Sequence, residues 1–191
     1  TRFAGRFEIV APLGAGATGA VYRARDSQGG GAEVALKVLS DQAFVAPAER
    51  GKVKRELSRL PLLKHPSIAA VVASGEEAGK IWVARELIDG ENLAAQIARD
   101  GAQPVGRVTA IGAALCGALI EAHKLGVLHR DLKPSHVLFA GDTTKIIDFG
   151  VPSKVVTPDP AREIFGTLPY VAPEQAAGKL TTFRADLYGL G

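Results

Sequence analysis

The sequence predicts an α+β fold with two lobes, because strand patterns fill its first part and helical patterns follow. Before residue 88, apolar and polar residues alternate in short runs interrupted by glycine, which is typical of strands. From Glu91 onward the spacing of apolar residues becomes helical, and residues 88–90 have the composition of a linker. We therefore expect a sheet lobe over residues 1–87 and a mainly helical lobe over residues 88–191.

Five short strands are predicted in the first lobe. They cover residues 7–10, 20–24, 33–39, 68–74 and 80–86. The first two are separated by a glycine turn. The second and third are separated by Asp-Ser-Gln-Gly-Gly-Gly, a turn with no helical option. These strands are expected to form a small sheet built from hairpins.

Two longer helices are predicted from apolar residues at helical spacing. One covers residues 48–63. The other covers residues 107–125 and ends at Gly126, a favourable C-terminal cap. The core face expected for the second helix consists of Val108, Ile111, Leu115, Leu119 and Ala122.

The composition is that of an ordinary globular chain. The 191 residues are 47% hydrophobic with a net charge of +3, and no basic run is interleaved with aromatic residues, so no nucleic-acid partner is expected. The apolar stretch at residues 113–120 is well short of the roughly 20 residues of a membrane helix. We therefore expect no membrane segment within this chain.

Cysteine and methionine usage bears on the setting of the chain. Cys116 is the single cysteine, so we expect a small buried side chain, no intrachain disulfide and a reducing cytosol. The absence of methionine leads us to expect an excerpt of a longer polypeptide. The oligomeric state leaves no signal in the sequence.

The charged residues of the second lobe carry the chemistry. The segment His-Arg-Asp-Leu-Lys-Pro-Ser-His at residues 129–136 is followed by Asp-Phe-Gly at residues 148–150. It brings two carboxylates, Asp131 and Asp148, close in sequence to the ammonium group of Lys133. This combination suits the transfer of a phosphoryl group held by a divalent cation.

The glycine turn Gly14-x-Gly16-x-x-Gly19 has two readings. The same pattern marks dinucleotide-binding βαβ units, in which Glu33 would be the ribose-binding acid. Such a unit needs a helix that opens at the third glycine. Here the residues after Gly19 alternate and run into three glycines, which indicates a strand and a hairpin. Small residues at a hairpin tip let backbone N–H groups approach nucleotide phosphates.

Lys37 and Glu56 are a candidate pair. Lys37 lies in a predicted strand, and Glu56 lies nineteen residues later on the predicted helix, beside its core face. Each alone is typical of a surface charge. Together with the glycines, a buried Lys–Glu pair would hold the ammonium group against nucleotide phosphates.

The ordered set of motifs from Phe7 to Gly191 resembles the eukaryotic-like Ser/Thr protein kinases of bacterial type. The resemblance implies a two-lobed, protein-kinase-like fold, with an antiparallel-sheet N-lobe and a helical C-lobe that lacks its last helices. It implies ATP with Mg²⁺ or Mn²⁺, a protein substrate and self-phosphorylation. It also implies a cytoplasmic location, or the cytosolic domain of a membrane-anchored receptor kinase. The ATP-contacting positions it assigns are Gly14, Gly16, Gly19, Val21, Ala35, Lys37, the backbone of Glu86 and Ile88, and Leu138.

The resemblance also assigns catalytic roles. Lys37 would contact the phosphates and Glu56 would position it. Asp131 would orient and deprotonate the substrate hydroxyl, and Lys133 would offset charge on the transferring group. Asp148 would hold the metal. Asp186 resembles the buried aspartate that ties the next helix to the catalytic loop.

Three residues are regulatory candidates by the same resemblance. Thr157 and Thr167 lie between the Asp148 turn and the Ala-Pro-Glu segment at residues 172–174. Arg130, directly before the catalytic aspartate, is expected to pair with a phosphate in that segment. An unmodified loop threonine is the alternative.

Two residues depart from the family pattern. His136 stands where the second metal-binding asparagine belongs, and imidazole suits transition metals better than Mg²⁺. Arg85 stands at the gatekeeper position behind the adenine pocket. It is expected either to reach Glu56 or Asp148, or to turn to solvent through a bulge that puts Ala84 at the pocket. The chain is therefore expected to be an active Ser/Thr kinase, with a pseudokinase scaffold as the alternative.

Overall fold

A computed structural model of the chain describes residues 2–16, 18–41, 47–151 and 168–191, without the side chains of residues 47–49 and 168. The first lobe is a six-stranded antiparallel sheet in the order β1-β2-β3-β4-β6-β5. Its strands are β1 (Arg2–Phe3), β2 (Phe7–Gly16), β3 (Gly19–Asp26), β4 (Ala32–Leu39), β5 (Val71–Glu77) and β6 (Lys80–Glu86). The five predicted strands are thus present, with shifted ends.

The register of the sheet decides which side chains face the second lobe. Val21 is the partner of Lys37, and Ala35 is the partner of Arg85, so these side chains share one face. The opposite face carries a small apolar core of Phe7, Ala24, Val34, Leu36, Trp82 and Ala84. Alternation along β4 therefore sends apolar residues to that core and Lys37 to the opposite face, where it contacts Asp148. The region between this face of the sheet and the loop at residues 129–136 is called the cleft below.

Helix α1 (Pro47–Leu57) is shorter than predicted. The apolar spacing continues, but the chain leaves the α-helix after Leu57 and forms a separate 3₁₀ turn at Leu60–Leu62. Pro61 explains the break, because it lacks an N–H group and disfavours helical geometry in the residue before it. Leu57 and Leu60 still reach the larger core, where each is only 1% exposed.

The second lobe contains α2 (Leu93–Asp100), α3 (Val105–Lys124), α4 (Pro173–Ala176) and α5 (Phe183–Leu190). A two-stranded sheet of β7 (Val137–Ala140) and β8 (Thr143–Ile146) lies between α3 and α4 in sequence. Gly126 has a φ of 68° directly after α3, which fits its predicted capping role. The boundary between residues 87 and 88 stays a prediction, although β6 ends at Glu86 and α2 begins at Leu93.

Two expectations about α3 were wrong. Its buried residues include Ile111, Leu115 and Leu119, but Val108 is 54% exposed and Cys116 is exposed. One apolar face of α3 packs on the lobe, and the other side of the same helix presents further apolar residues, such as Ile120, to the surface. By length and composition α3 could cross a membrane, as the core helix of a soluble protein also could. That is weak evidence, and the expectation of no membrane segment stays a prediction.

Candidate active site

The loop between α3 and β7 is held by Asp186 of α5. Its carboxylate, 1% exposed, accepts the backbone N–H groups of His129 at 2.9 Å and Arg130 at 2.7 Å. It also contacts Nε2 of His123 at 2.8 Å. Arg130 has a φ of 69°, a conformation that non-glycine residues adopt only when their surroundings hold them there. The predicted tie between α5 and the loop is therefore present.

His129 is a buried neutral imidazole. Its Nε2 lies 2.8 Å from the carbonyl of Ile147 and must donate, so its Nδ1 accepts the N–H of Asp131 at 3.2 Å. Burial lowers the pKa of His129 to about 4, an effect that nearby His136 adds to. Its ring lies 4.8 Å from the ring of Phe149, which links the loop to the Asp148 turn.

Asp131 faces the cleft with Lys133 as its partner. Lys133 Nζ donates to Asp131 Oδ2 at 2.7 Å, and both side chains are about one-fifth exposed. Among the described residues, the carboxylate is thus held by one ammonium group and keeps part of its surface exposed. Its role as the acceptor of the hydroxyl proton stays a prediction.

His136 contacts the same loop through its ring. Its Nδ1 lies 2.7 Å from the backbone carbonyl of Asp131, which can only accept, so Nδ1 carries the hydrogen. Nε2 therefore bears the lone pair, and it lies 3.8 Å from Asp148 Oδ2. Burial lowers the pKa of His136 to about 4, although the Asp148 charge opposes this shift. A neutral imidazole thus presents a lone pair beside a carboxylate.

Among the residues that the structure describes, Asp148 has two cationic partners. Lys37 Nζ donates to Oδ2 at 2.7 Å, and Arg85 Nη1 donates to Oδ1. Burial alone would raise the pKa of this carboxyl, but the charges of Arg85 and Lys37 hold it well below its usual range. Asp148 also has a φ of 68°, a left-handed backbone conformation that is uncommon outside glycine.

The expected Lys37–Glu56 pair was wrong for this structure. Glu56 instead accepts two parallel hydrogen bonds from Arg130, at 2.6 Å and 2.7 Å. A guanidinium matches a carboxylate in this two-bond geometry and an ammonium group does not, which favours Arg130 over Lys37. Arg130, expected to pair with a phosphate, is therefore engaged with α1.

Arg85 points into the cleft, as one of its two predicted alternatives requires. It is paired in register with Ala35 and is 7% exposed, and the irregularity in the neighbouring ladder lies in β5 rather than at Arg85. Arg85 and Asp148 line a small cavity together with apolar side chains. The solvent-facing alternative is thereby excluded.

The glycine turn is a hairpin. Strand β3 begins at Gly19, so the dinucleotide-binding reading, which needs a helix there, is wrong. Gly19 has a φ of 141°, and a Cβ on it would fall 2.1 Å from the carbonyl oxygen of Val38. By contrast, Gly14 and Gly16 have open space at that position. The third glycine is thus required by packing, whereas the first two leave room above the cleft.

The predicted adenine contacts lie where β6 leads into the second lobe. The N–H of Glu86 donates to the carbonyl of Ala70 at 2.8 Å, so that N–H is unavailable to a base. The Glu86 carboxylate accepts from Lys145 at 3.0 Å, which ties the segment to β8. Leu138 lies on β7 and forms a bridge with Asn92 just beyond Ile88.

One connecting residue was missed by the sequence reasoning. Gln175 of α4 is 4% exposed, donates to the carbonyl of Arg130 at 2.9 Å and accepts the N–H of Ala172 at 3.1 Å. The sequence feature that could have indicated this residue is its position directly after the Ala-Pro-Glu segment. Thr157 and Thr167 lie outside the described residues.

The donor set for a metal is small. Among the described residues no group of three His, Cys, Asp or Glu side chains could hold an ion. Asp148 and Nε2 of His136 are two donors facing one another, and nucleotide phosphates would supply others. One oxygen and one imidazole nitrogen fit a transition metal better than Mg²⁺.

A sheet lobe with a glycine hairpin above a cleft that contains Lys37, Asp131 and Asp148 defines a phosphoryl-transfer class of protein. Comparison with known proteins gives the family. The protein kinase domain matches residues 7–191, and this chain belongs to the protein kinase family.

The relatives are bacterial. The serine/threonine-protein kinase pkn2 of Myxococcus xanthus is 33% identical over 98% of this chain, and the DNA damage-responsive serine/threonine-protein kinase RqkA of Deinococcus radiodurans is 37% identical over 100%. The chain spans only 23% and 29% of these relatives. The match to the crystal structure of the Mycobacterium tuberculosis PknI kinase domain covers 100% of this chain and 70% of the PknI chain, at 35% identity and a TM-score of 0.83. The kinase-like fold is confirmed.

Proposed function

We propose that this chain transfers the γ-phosphoryl group of ATP to a serine or threonine hydroxyl of a protein. The observation that carries the proposal is the catalytic loop, in which Asp186 fixes the backbone and Asp131 faces the cleft with Lys133 at 2.7 Å. Its named relatives are Ser/Thr protein kinases, which supports the same activity.

The nucleotide would lie below the hairpin. Gly14, Gly16 and Gly19 would bring backbone N–H groups to the phosphates. Val21, Ala35 and Leu138 would enclose the base, with the Glu86 carbonyl and the Ile88 backbone at its edge. Lys37 would contact the phosphates. Asp148 and His136 would hold a divalent cation, which supplies charge neutralisation when bound.

The chemical step uses Asp131. The substrate hydroxyl oxygen forms a bond to the γ-phosphorus, the bond from that phosphorus to the bridging oxygen of ADP breaks, and the hydroxyl proton passes to the Asp131 carboxylate. Lys133 offsets charge on the transferring group. ADP and the phosphorylated side chain are the products. Lys133 followed by Pro134 favours Ser/Thr substrates, by resemblance to the family.

A pseudokinase scaffold remains the second candidate because of Asp148. In this structure both of its oxygens are engaged, by Lys37 and Arg85, and His136 replaces a hard oxygen ligand. If these contacts persisted with nucleotide present, a metal–ATP complex would not be assembled. The protein would then act by binding rather than by catalysis.

The test is phosphoryl transfer from radiolabelled ATP to the protein itself and to a generic basic protein, with Mg²⁺ or Mn²⁺. Asp131→Asn should lower transfer at least about a hundredfold, since general base catalysis contributes on that scale. Asp142→Asn, a surface aspartate outside the site, is the matched control. Wild-type turnover no greater than that of Asp131→Asn with either metal would favour the scaffold.

We also propose the finer features of its setting. Thr157 and Thr167 are candidate self-phosphorylation sites, and their phosphopeptides can be sought by mass spectrometry. The single cysteine supports a cytosolic location, and the family resemblance supports attachment to a membrane-anchored receptor as the alternative; cell fractionation distinguishes the two.

A further inference from the structure

Arg85 occupies Asp148, the carboxylate that is proposed to bind the metal. Its strand partner is Ala35, a predicted base contact, and its guanidinium reaches past that position to Asp148. The side chains of Arg85 and Asp148 are only 8% and 7% exposed. The interaction is therefore screened little by solvent.

The pair uses atoms that a metal would need. Arg85 holds Oδ1 of Asp148 and Lys37 holds Oδ2. Nε2 of His136, the second metal donor, is 3.8 Å from Oδ2. A cation shared by Asp148 and His136 must therefore compete with at least one of the two basic side chains.

If Lys37 leaves Asp148, its ammonium group can pair with the nucleotide phosphates in the proposed complex. Arg85 comes from the strand behind the base and has no such partner in the proposed complex. A guanidinium left unpaired in a buried site is costly. Displacement of Arg85 by a cation therefore carries a cost that displacement of Lys37 does not.

We propose that Arg85 is a built-in competitor of the divalent cation at Asp148. It sets how much metal the protein needs in order to bind ATP. Metal binding must displace the guanidinium from Asp148 Oδ1, and the cost of leaving Arg85 unpaired in a buried site raises the metal concentration that ATP binding requires. This inference rests on the proposed function, since it concerns the same nucleotide site.

The test measures binding rather than turnover. Mn²⁺ is titrated into the full-length protein with a fixed concentration of a non-hydrolysable ATP analogue, and bound metal is followed by loss of the free Mn²⁺ paramagnetic resonance signal. Arg85→Met keeps the length of the side chain and removes its charge. Asp148 retains Lys37 as a partner, so the variant is expected to fold, which cooperative unfolding in urea checks.

Arg85→Met should lower the Mn²⁺ dissociation constant at least tenfold. Arg85→Lys, which keeps a charge, should stay much closer to wild type. Arg99→Met is the matched control, because Arg99 is exposed and pairs with Glu91 and Asp100 outside the site, and it should leave metal binding unchanged.

Two outcomes would count against the proposals, and they differ. If wild type and Arg85→Met bind Mn²⁺ equally in the presence of the analogue, the competition is overturned while nucleotide binding stands. If no folded variant binds the analogue at any metal concentration, both the competition and the proposed function fail.

Discussion

The two aspartates of the cleft have contrasting surroundings. The Asp131 side chain is 19% exposed and, within the described part of the chain, has a single cationic partner, Lys133. The Asp148 side chain is 7% exposed and has two, Lys37 from β4 and Arg85 from β6. The first belongs to a loop whose backbone is held by Asp186, within the same lobe. The second joins the loop–turn region to the sheet lobe.

Asp131 and Asp148 therefore differ in how much must change before each can perform its proposed role. The loop that carries Asp131 already leaves this carboxylate partly exposed, as the proposed proton transfer requires. The Asp148 turn must exchange at least one basic partner before it can coordinate a cation. In this structure, then, the proposed base is in place and the proposed metal ligand is occupied by the protein's own cations.

The largest effect on stability is expected at Glu56, whose buried carboxylate is paired with Arg130. Arg130→Met should lower the free energy of unfolding by about 3 kcal/mol, because Glu56 is left buried without its charge partner. Arg85→Met should cost only about 1 kcal/mol, because Asp148 keeps Lys37. Urea denaturation at pH 7 measures both.

Arg99→Met, at an exposed ion pair, is the control and should change stability by less than about 0.5 kcal/mol. Equal losses of unfolding free energy for Arg130→Met and Arg85→Met would contradict the expected difference between Glu56, which loses its charge partner, and Asp148, which keeps Lys37. Such a result would mean that Glu56 readily recruits another cation once Arg130 is gone.

The sequence predicted which residues meet in this cleft more successfully than it predicted how they pair. Spacing and alternation gave the strands, and the resemblance placed Lys37, Asp131 and Asp148 at one site. Pairing was different, because three cations, Lys37, Arg85 and Arg130, surround two buried carboxylates. Their choice depends on bond geometry and on side-chain reach, which no linear pattern records.

The same limit applies to the elements. Helical spacing continued past Leu57, yet Pro61 ended the helix by removing a backbone donor. Exposure of Val108 and Cys116 could not be read from periodicity, because α3 is apolar around much of its circumference. Gln175, in turn, acts through a contact to the Arg130 carbonyl that only the folded chain brings together.

The two regions should also differ in their response to acid. His129 and His136 of the catalytic loop have pKa values lowered to about 4 by burial, against about 6.5 in the unfolded chain. The unfolded state therefore binds more protons between these values, and stability falls as pH decreases through that window. From pH 7 to pH 5 we expect a loss of about 2 kcal/mol per histidine.

Asp148 should not contribute to that loss. Its pKa is held below its usual range, so its stabilising charge is retained above pH 4 and is lost only in stronger acid. His136→Asn should therefore remove about half of the loss between pH 7 and pH 5, as measured by urea denaturation at each pH. An unchanged pH dependence in this variant would show that His136 is not the buried neutral group described above.

The smallest expected effect concerns the identity of the metal. Nε2 of His136 presents a nitrogen lone pair 3.8 Å from Asp148 Oδ2, whereas an asparagine there would offer an amide oxygen. Mg²⁺ prefers oxygen ligands, so His136→Asn should raise the affinity for Mg²⁺ relative to Mn²⁺ about tenfold. Competition of Mg²⁺ against bound Mn²⁺, with the ATP analogue present, measures the ratio. His65→Asn, whose ring contacts the backbone of Ser67 away from the cleft, is the control. A ratio unchanged by His136→Asn would leave Asp148 as the sole protein ligand, and Arg85 would then act on that ligand alone.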